Sequence, residues 1–485
     1  MFGLFAVASM RISLGMAITC MVNSTAFVRP SEVRISEISS NFTAEYPKCY
    51  RPVDASEAKR DGYGGHLLWS PSMQGLLFSA SFWGGLMTTV FSGYLADRFG
   101  PKMIVMFAVI DMSIMSALGP FLAEQTYWAY FGTRVVLGMG EGFVIPCLNS
   151  LAVRWFPPNE KSTLGAIYTT GNQIAASLTS VLVAVLCTSP LGWPAIFYIH
   201  GIYGIIWSII WKVFVSNTPS KNKWISKDEE EFIERKLATK KQSMTFNQNK
   251  VPWRKLVFGK VPGAVYGCQF AFNFSITLLQ AFLPTYLKDH LLLPIHLNGI
   301  YTMIPFVAQF VLKIPLAMLS DFLKQRNLVD SNKAVKIFQG IGSFGIALSI
   351  LALATIPSCE RPYLALPILT AIGLSFSCAI PGFFTSTLSI APPYTGTMSS
   401  IGRAYSTFAN IFGSLLVSLI EYMNWPHKWI IIFSLASLLH VLSGVNFVLN
   451  GQAKVQSWVY RSSDEKGSIE KDIPDITKWE KGQSA

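Results

Sequence analysis

Long apolar runs alternate with short polar segments along the whole chain. Most of these runs are at least 20 residues long, and a helix of about 20 residues spans the roughly 30 Å hydrocarbon layer of a bilayer. Because a backbone inside lipid has no water to bond with, each run must form a helix. We therefore predict an all-α polytopic membrane protein with twelve transmembrane helices in two six-helix halves. The predicted crossings are residues 1–27, 72–96, 103–123, 127–154, 162–187, 194–215, 262–287, 297–320, 333–356, 363–390, 397–422 and 428–450.

The polar intervals divide these crossings into segments. Residues 28–69 are mixed in charge and rich in proline and glycine, which predicts an extramembrane loop. Residues 216–256 are long and basic, which predicts a cytosolic linker. The expected segments are an N-terminal half at 1–215 that includes the loop, the linker at 216–256, a C-terminal half at 257–450 and a disordered cytosolic tail at 451–485.

The positions of lysine and arginine predict the orientation. Much of the net charge of +12 lies in short loops and in the linker, where the positive-inside rule places cytosolic segments. Both chain ends are therefore expected in the cytosol, and the loop at 28–69 on the opposite side. In that loop Asn41 begins an Asn-Phe-Thr sequon, so it is a candidate glycosylation site. The excess of basic residues therefore indicates which segments lie in the cytosol, and no nucleic-acid partner is expected.

Composition agrees with a membrane protein. Hydrophobic residues make up 51% of the chain and charged residues 14%, against roughly 25% charged in soluble proteins. The six histidines and seven cysteines fall at no catalytic or metal-binding spacing, so neither an enzyme nor a metal protein is expected. No cofactor is expected beyond a coupling ion. Cys49 is the one cysteine well outside the predicted crossings, and a disulfide from it is left open.

Two charged residues lie inside the fourth predicted crossing. Arg134 and Glu141 are seven residues apart, close to two helical turns, so both project from one face. A charge near the bilayer centre costs at least about 2.5–3.5 kcal/mol, and such residues usually face a bundle interior or a water-filled path. One interpretation is an anion-coordinating arginine with a carboxylate that carries a proton or stabilises the arginine. The other is an internal ion pair that holds two helices together.

Arg11 is a second intramembrane cation, in the middle of the first predicted crossing. It either faces the same interior or extends to the membrane interface along its aliphatic stem. In the fourth crossing Gly138, Gly140 and Gly142 permit close approach of neighbouring backbones. This helix is therefore expected to be packed on several sides.

The two predicted halves share an internal repeat. The pairs Ile-Pro at 145–146 and Pro-Pro at 157–158 recur with identical spacing at 380–381 and 392–393. Gly138 recurs at the same offset as Gly373, and Asp97 is matched loosely by Asp321. Duplicated halves are typical of transporters that rock two bundles about a site near the bilayer midplane.

Several motifs then point to one family. The chain resembles the major facilitator superfamily, and within it the anion:cation symporters, which include sialin, the vesicular glutamate transporters and the sodium–phosphate cotransporters. The resemblance covers nearly the whole chain. The motifs that carry it are GYLADRFGPK at 93–102, SFWGG at 81–85, Arg134 with GEG at 140–142 and Pro146, FPPNEKS at 156–162, VSNTPSKNKWIS at 215–226, LPTYLKD at 283–289 and IAPPYTGT at 390–397.

The resemblance implies roles for individual residues. Arg11 and Arg134 match arginines associated with substrate-anion binding, and Glu141 matches the acid linked to proton coupling. Asn273 with Phe274 matches a pair typical of the seventh helix.

The chain also departs from the family's pattern. Leu137 replaces a second acid of sialin, and Phe78 and Phe272 replace a histidine and an arginine of the glutamate transporters. Residues 386–389 are STLS where NHLD is usual, and Arg403 stands where asparagine is common. These differences argue against glutamate and sialic acid as substrates, and Arg403 suggests a differently shaped or more highly charged anion, or a shifted counter-ion.

The functional expectation is a secondary active transporter that moves an organic or inorganic anion, coupled to a proton or sodium gradient, by alternating access. The alternatives are a facilitative anion uniporter or channel of the same fold, and a transport-inactive receptor or scaffold. We expect a monomer in the plasma membrane or in an endolysosomal or vesicular membrane, with a small anionic solute and the lipid bilayer as its partners. The expected substrate-binding residues are Arg11, Arg134, Arg403, Asn273, Tyr168 and Gln173, with Tyr198 as a further cavity candidate, Glu141 for proton coupling and Asp97, Arg98 and Asp321 for the cytosolic gate.

Overall fold

The structure is a computed structural model that describes residues 1–23, 26, 61–155, 161–233, 252–391, 394–423, 425 and 427–460. The long elements in these ranges are all helices, which we number α1 to α12. Their bounds are α1 Phe2–Met21, α2 Pro71–Phe99, α3 Pro101–Gln125, α4 Tyr127–Trp155, α5 Lys161–Thr188, α6 Pro194–Phe214, α7 Lys260–Asp289, α8 Ile295–Gln325, α9 Ser331–Thr355, α10 Pro362–Ser389, α11 Thr395–Tyr422 and α12 Lys428–Asn450. In the described part of the chain, eleven of them are long and apolar enough to cross a membrane. The twelfth, α2, lies between α1 and α3, where the second crossing was predicted. The predicted all-α membrane architecture is confirmed, and the order of the helices is consistent with twelve crossings.

One predicted boundary differs from the structure. The first crossing was predicted to reach residue 27, but α1 ends at Met21. Val22 is extended and pairs with Leu67, and Asn23 pairs with Gly64. The chain leaves the helix here because its backbone bonds to the returning loop instead.

Helix packing shows the duplication directly. In the N-terminal half, α2 packs on α4, α3 on α4 and α6, and α1 on α5 and α6. The C-terminal half repeats each of these pairs six helices later, as α8 on α10, α9 on α10 and α12, and α7 on α11 and α12. The two halves meet mainly through α2 with α11 and α5 with α8, which is again a symmetric pair of contacts.

The paired glycines of the repeat have the same structural role. A Cβ on Gly138 would meet the backbone carbonyl of Ser81 on α2, and a Cβ on Gly373 would meet the carbonyl of Pro305 on α8. Only a glycine lets the two backbones approach so closely. The recurrence of Gly138 as Gly373 is therefore explained by the recurrence of one tight helix–helix contact.

Two helices of the C-terminal half are interrupted. In α7 a π-helical turn at Leu278–Phe282 separates Lys260–Thr277 from Leu283–Asp289. In α10 a similar turn at Ile380–Phe384 contains Gly382, whose backbone is non-helical. The Gln339 side chain of α9 accepts a hydrogen bond from the backbone N–H of Phe383 at 2.9 Å. Such turns widen a helix and often place functional groups.

Candidate functional site

A small cavity lies between the two halves, at the point where the π-helical turn of α7 faces α1. Its volume is about 30 Å³, which is close to the share of one water molecule in the liquid. Four helices contribute its lining, so a solute held here would contact both halves. The lining residues are Arg11, Ile12 and Gly15 of α1, Phe78, Ser81 and Phe82 of α2, Arg134 of α4, and Thr277, Gln280 and Ala281 of α7.

Arg11 is the charged group that reaches across the cavity. Its Nη2 donates to Oε1 of Gln280 at 3.3 Å, and its Nε lies 3.5 Å from Oε1 of Glu141. The guanidinium also lies over the ring of Phe82, 5.7 Å from the centroid. The side chain is 17% exposed, so it points into the bundle and does not extend to the membrane interface.

Arg134 and Glu141 have different partners from one another. Arg134 is 3% exposed and donates to the backbone carbonyls of Met10 at 3.2 Å and Arg11 at 2.9 Å. A guanidinium has five N–H groups. These two bonds use two of them, and the Nε of Arg134 has no hydrogen-bond partner. Glu141 contacts Arg11 and leaves Arg134 to the backbone of α1. The three charged groups that the sequence singled out therefore lie together, with two cations and one anion.

Gln280 was missed by the sequence analysis. It lies inside the π-helical turn of α7, and a Cβ on Gly15 would meet its backbone carbonyl. The close approach of α1 at Gly15 thus brings the amide of Gln280 to Arg11. The sequence signal was weak, because a glutamine within an apolar run is equally common as a helix–helix contact.

A polar seam joins α5 to α8 across the two halves. Gln173, a predicted binding residue, donates to Oε1 of Gln309 at 3.5 Å. One helical turn further along both helices, Nζ of Lys313 donates to Oγ1 of Thr169 at 3.0 Å. Lys313 is an intramembrane cation that the sequence analysis did not single out, although a lysine within an apolar run is the signal that identified Arg11.

The other predicted binding residues lie outside the cavity lining. Asn273 donates to Ser406 at 3.0 Å and so ties α7 to α11. Arg403 is half-buried on α11. Tyr198 is 44% exposed on α6, which does not fit a cavity position. The side chain of Tyr168, on α5, lies outside the described residues.

The predicted gate and glycosylation residues are placed only in part. Arg98 and Asp321 are exposed at the cytosolic ends of α2 and α8, and Asp321 pairs with Lys324 of its own helix at 3.0 Å. The side chain of Asp97 and the whole of Asn41 lie outside the described residues. Their roles stay predictions. In the described ranges no group of three or more His, Cys, Asp or Glu side chains could hold a metal ion.

The non-cytosolic ends of the two halves are closed against each other. The hydroxyl of Tyr63 donates to the carbonyl of Leu293 at 2.5 Å and accepts from Asn298 at 3.1 Å. Burial raises the pKa of Tyr63, so this hydroxyl keeps its proton. Lys288 of α7 donates to the carbonyl of Thr19 of α1 at 3.1 Å and lies over the ring of Tyr63.

Two further contacts close the same face. The hydroxyl of Ser418 of α11 donates to the backbone carbonyl of Ser72 at 2.6 Å, and the backbone N–H of Ile295 donates to the backbone carbonyl of Asp61 at 3.1 Å. Asp61 and Tyr63, in the described segment before α2, therefore lie between the halves on this side. The structure is closed on the non-cytosolic face.

A disulfide marks which face this is. Cys20 at the end of α1 is bonded to Cys187 at the end of α5, and Cys359, between α9 and α10, is also a disulfide cysteine. Disulfides form and persist in oxidising compartments and are rare in the cytosol. The bonds agree with the orientation that the basic residues predict. The question of Cys49 stays open, because it lies outside the described residues.

Comparison with known proteins decides the family. The family model described as Major Facilitator Superfamily matches residues 1–448. An uncharacterised transporter of Caenorhabditis elegans, slc-17.3, is 34% identical over 477 residues, covering 96% of this chain and 89% of that protein. The chain belongs to the major facilitator superfamily and to its anion:cation symporter family. It is an integral membrane transporter and not an enzyme.

Other similar proteins support this placement. Sialin of Ovis aries is 28% identical, covering 96% of this chain and 90% of that protein. Sodium-dependent phosphate transport protein 3 of Mus musculus is also 28% identical, covering 94% of this chain and 93% of that protein. The crystal structure of a D-xylose-proton symporter has a TM-score of 0.63 at 15% identity, covering 93% of this chain and 98% of that one, which shows the shared fold.

Proposed function

We propose that this member of the family is a secondary active transporter that carries a small organic or inorganic anion through the bilayer by alternating access, driven by a proton or sodium gradient. The observation that carries the proposal is Arg11, which lies in a cavity between the halves and contacts both Glu141 of one half and Gln280 of the other. A site shared by both halves is what alternating access requires.

The charges around the cavity favour an anion. Arg11 and Arg134 bring two positive charges and Glu141 brings one negative charge. One bound anion with a single negative charge therefore makes the net charge of the site zero. A guanidinium donates two parallel hydrogen bonds to a carboxylate or phosphate. Phe78 and Phe82 of α2 add apolar surface to the lining.

Glu141 offers a mechanism for coupling. While it is ionised it contacts Arg11 and competes with a bound anion for the same guanidinium. When a proton neutralises Glu141, Arg11 is released to bind the anion. Proton binding and anion binding would then favour each other, which is the thermodynamic basis of symport.

The closed non-cytosolic face supports the alternating part of the proposal. The bonds of Tyr63, Lys288 and Ser418 join the halves there, and all of them must break for the opposite opening. We infer that this conformation communicates with the cytosol and that rocking of the halves exposes Arg11 to the other side.

The substrate class rests on the named relatives. They are a sialin, sodium-dependent phosphate transport protein 3 and a vesicular glutamate transporter. The cavity has phenylalanine at position 78, and Phe272 contacts the rings of Phe376 and Phe383. With no histidine or arginine at these two positions, and Leu137 in place of the second acid of sialin, we favour phosphate or an organic anion other than glutamate and sialate.

Uptake into proteoliposomes tests the proposal. The panel is phosphate, urate, glutamate, sialate and aspartate, each with an imposed sodium or pH gradient. Concentrative uptake of one of them supports the symporter, and uptake that never exceeds equilibrium would favour the facilitative alternative. Absence of uptake across the panel, from correctly folded protein, would favour a receptor.

Arg134→Ala provides the matched test of the site. It should abolish uptake without loss of protein from the membrane. Arg361→Ala removes an exposed guanidinium outside the bundle and should leave uptake unchanged. Equal uptake by both variants would remove Arg134 from the site.

A further inference from the structure

Lys313 is a buried cation at the boundary between the halves. It lies on α8, within a predicted crossing, and is 6% exposed. Its ammonium donates to Thr169 of α5, in the other half, at 3.0 Å. A buried lysine is normally paired with a carboxylate, because an uncompensated charge away from water is costly.

The described residues around Lys313 include no such carboxylate. Among the described residues, no Asp or Glu oxygen lies within 4.0 Å of its ammonium, and two of the three N–H donors have no acceptor there. Gln309 and Gln173, one turn away on α8 and α5, join at 3.5 Å, which is a weak bond. The ammonium of Lys313 therefore has N–H donors that the described residues leave unused, and N–H donors are the groups that bind an oxyanion.

The depth of Lys313 differs from that of Arg11. Lys313 follows Ile295, the non-cytosolic start of α8, by 18 residues, or about 27 Å of helix. Arg11 precedes Met21, the non-cytosolic end of α1, by 10 residues, or about 15 Å. Lys313 is thus nearer the cytosol than the central cavity, on the side opposite to the closed face.

We propose that Lys313, with the side-chain amides of Gln173 and Gln309 beside it, forms a second oxyanion-binding subsite, which takes a carboxylate or phosphate group on the cytosolic part of the transport route. This subsite rests on the proposed function. It gives the C-terminal half a cation that binds the anion, whereas that half contributes no cation to the lining of the Arg11 cavity. The cavity receives only uncharged groups, Thr277, Gln280 and Ala281, from that half.

The ammonium of Lys313 is available in this conformation. Among the described residues it bonds only to Thr169, so two of its N–H donors can bind an oxyanion that arrives from the cytosol. This binding does not depend on the hydroxyl of Thr169. The anion next passes toward Arg11, where two guanidinium groups and Glu141 lie.

Four variants separate this role from a purely structural one. Lys313→Met removes the charge, Lys313→Arg keeps it, and Thr169→Val removes the contact while it keeps the charge. Lys333→Met removes an exposed cytosolic lysine as the control. For the panel anion that the wild type transports best, KM is measured from each face in proteoliposomes of known orientation.

Lys313→Met should raise the cytosolic-face KM at least tenfold, the loss expected for a charge-assisted hydrogen bond. The KM from the opposite face should change less than twofold. Lys313→Arg should stay within threefold of the wild type, and Thr169→Val and the control within twofold. If Thr169→Val matches Lys313→Met, or if both faces are affected equally, Lys313 is a structural contact and the subsite is wrong.

A binding measurement separates failure of the subsite from failure of the proposed function. Inorganic phosphate should raise the melting temperature of purified Arg134→Ala saturably, and should not raise that of Lys313→Met in the same background. This result would support the subsite even if no panel anion were transported. An equal rise in both proteins, or no rise in either, would overturn it.

Discussion

The contact between Arg11 and Glu141 predicts that removing the acid strengthens anion binding. Their charged atoms lie 3.5 Å apart, and the side chains are 17% and 13% exposed. At an effective dielectric constant of about 20 the attraction is about 5 kcal/mol, and the desolvation of both ions offsets much of it. Measured couplings of close charge pairs begin at about 1.5 kcal/mol, which corresponds to about tenfold in an equilibrium constant.

Glu141→Gln keeps the shape of the side chain and removes its charge. Arg11 is then no longer held by an ionised partner. We expect the dissociation constant of the transported anion at pH 7.5 to fall at least tenfold. Because the competing carboxylate is absent, the constant should change less between pH 7.5 and pH 5.5 than that of the wild type, and the comparison with the wild type removes the effect of protonation of the anion itself. Uptake driven by a pH gradient should be lost.

The assay is equilibrium binding of the labelled anion to purified protein at both pH values. Glu421→Gln is the matched control, because Glu421 is a buried carboxylate that pairs with Lys428 at 2.7 Å outside the cavity. It should retain the pH dependence of the wild type. Weaker binding by Glu141→Gln, or an unchanged pH dependence, would refute the competition between Glu141 and the anion.

Three further changes have defined outcomes. Gln280→Ala should raise KM about fivefold, the effect of one hydrogen bond of about 1 kcal/mol, and an unchanged KM would remove it from the site. Replacing Cys20 and Cys187 together by alanine opens a link across 167 residues; a loop of that size contributes up to about 5 kcal/mol, so the melting temperature should fall by several degrees and should respond less to reductant than that of the wild type. Gly138→Ala should lower the yield of folded protein because its Cβ meets the backbone of α2, whereas Gly132→Ala on the same helix has no atom within 4 Å and should be neutral; equal yields would contradict the packing described.

Much of the fold followed from the sequence. The apolar runs located the helices because lipid leaves a backbone no other way to satisfy its hydrogen bonds. The recurrence of Gly138 as Gly373 predicted the duplicated halves, and both glycines turned out to accommodate the same kind of backbone contact. The cost of intramembrane charge singled out Arg11, Arg134 and Glu141, which the structure brings together.

The pairing of these charges could not be predicted in the same way. Periodicity gives the face of a helix on which a residue lies, but not the rotation of that helix against its neighbours. The sequence therefore could not show that Glu141 contacts Arg11 while Arg134 bonds to the backbone of α1. Gln280 depends on a π-helical turn that only the packing against α1 reveals.

The disulfide was missed for a related reason. Cys20 and Cys187 lie in separate apolar runs without a recognisable spacing. Their bond follows from the packing of α1 against α5, which a single sequence does not contain. Lys313 differs, because its position inside an apolar run was visible and was overlooked.

The position of a bound anion tests the central claim most directly. Cryo-electron microscopy of the protein in nanodiscs, saturated with the anion that the uptake panel identifies, would give it. The account predicts density within hydrogen-bonding distance of the Arg11 guanidinium, between α1 and the π-helical turn of α7, with Glu141 withdrawn from Arg11. An anion bound elsewhere, with Arg11 still paired to Glu141 and no density in the cavity between the halves, would contradict it.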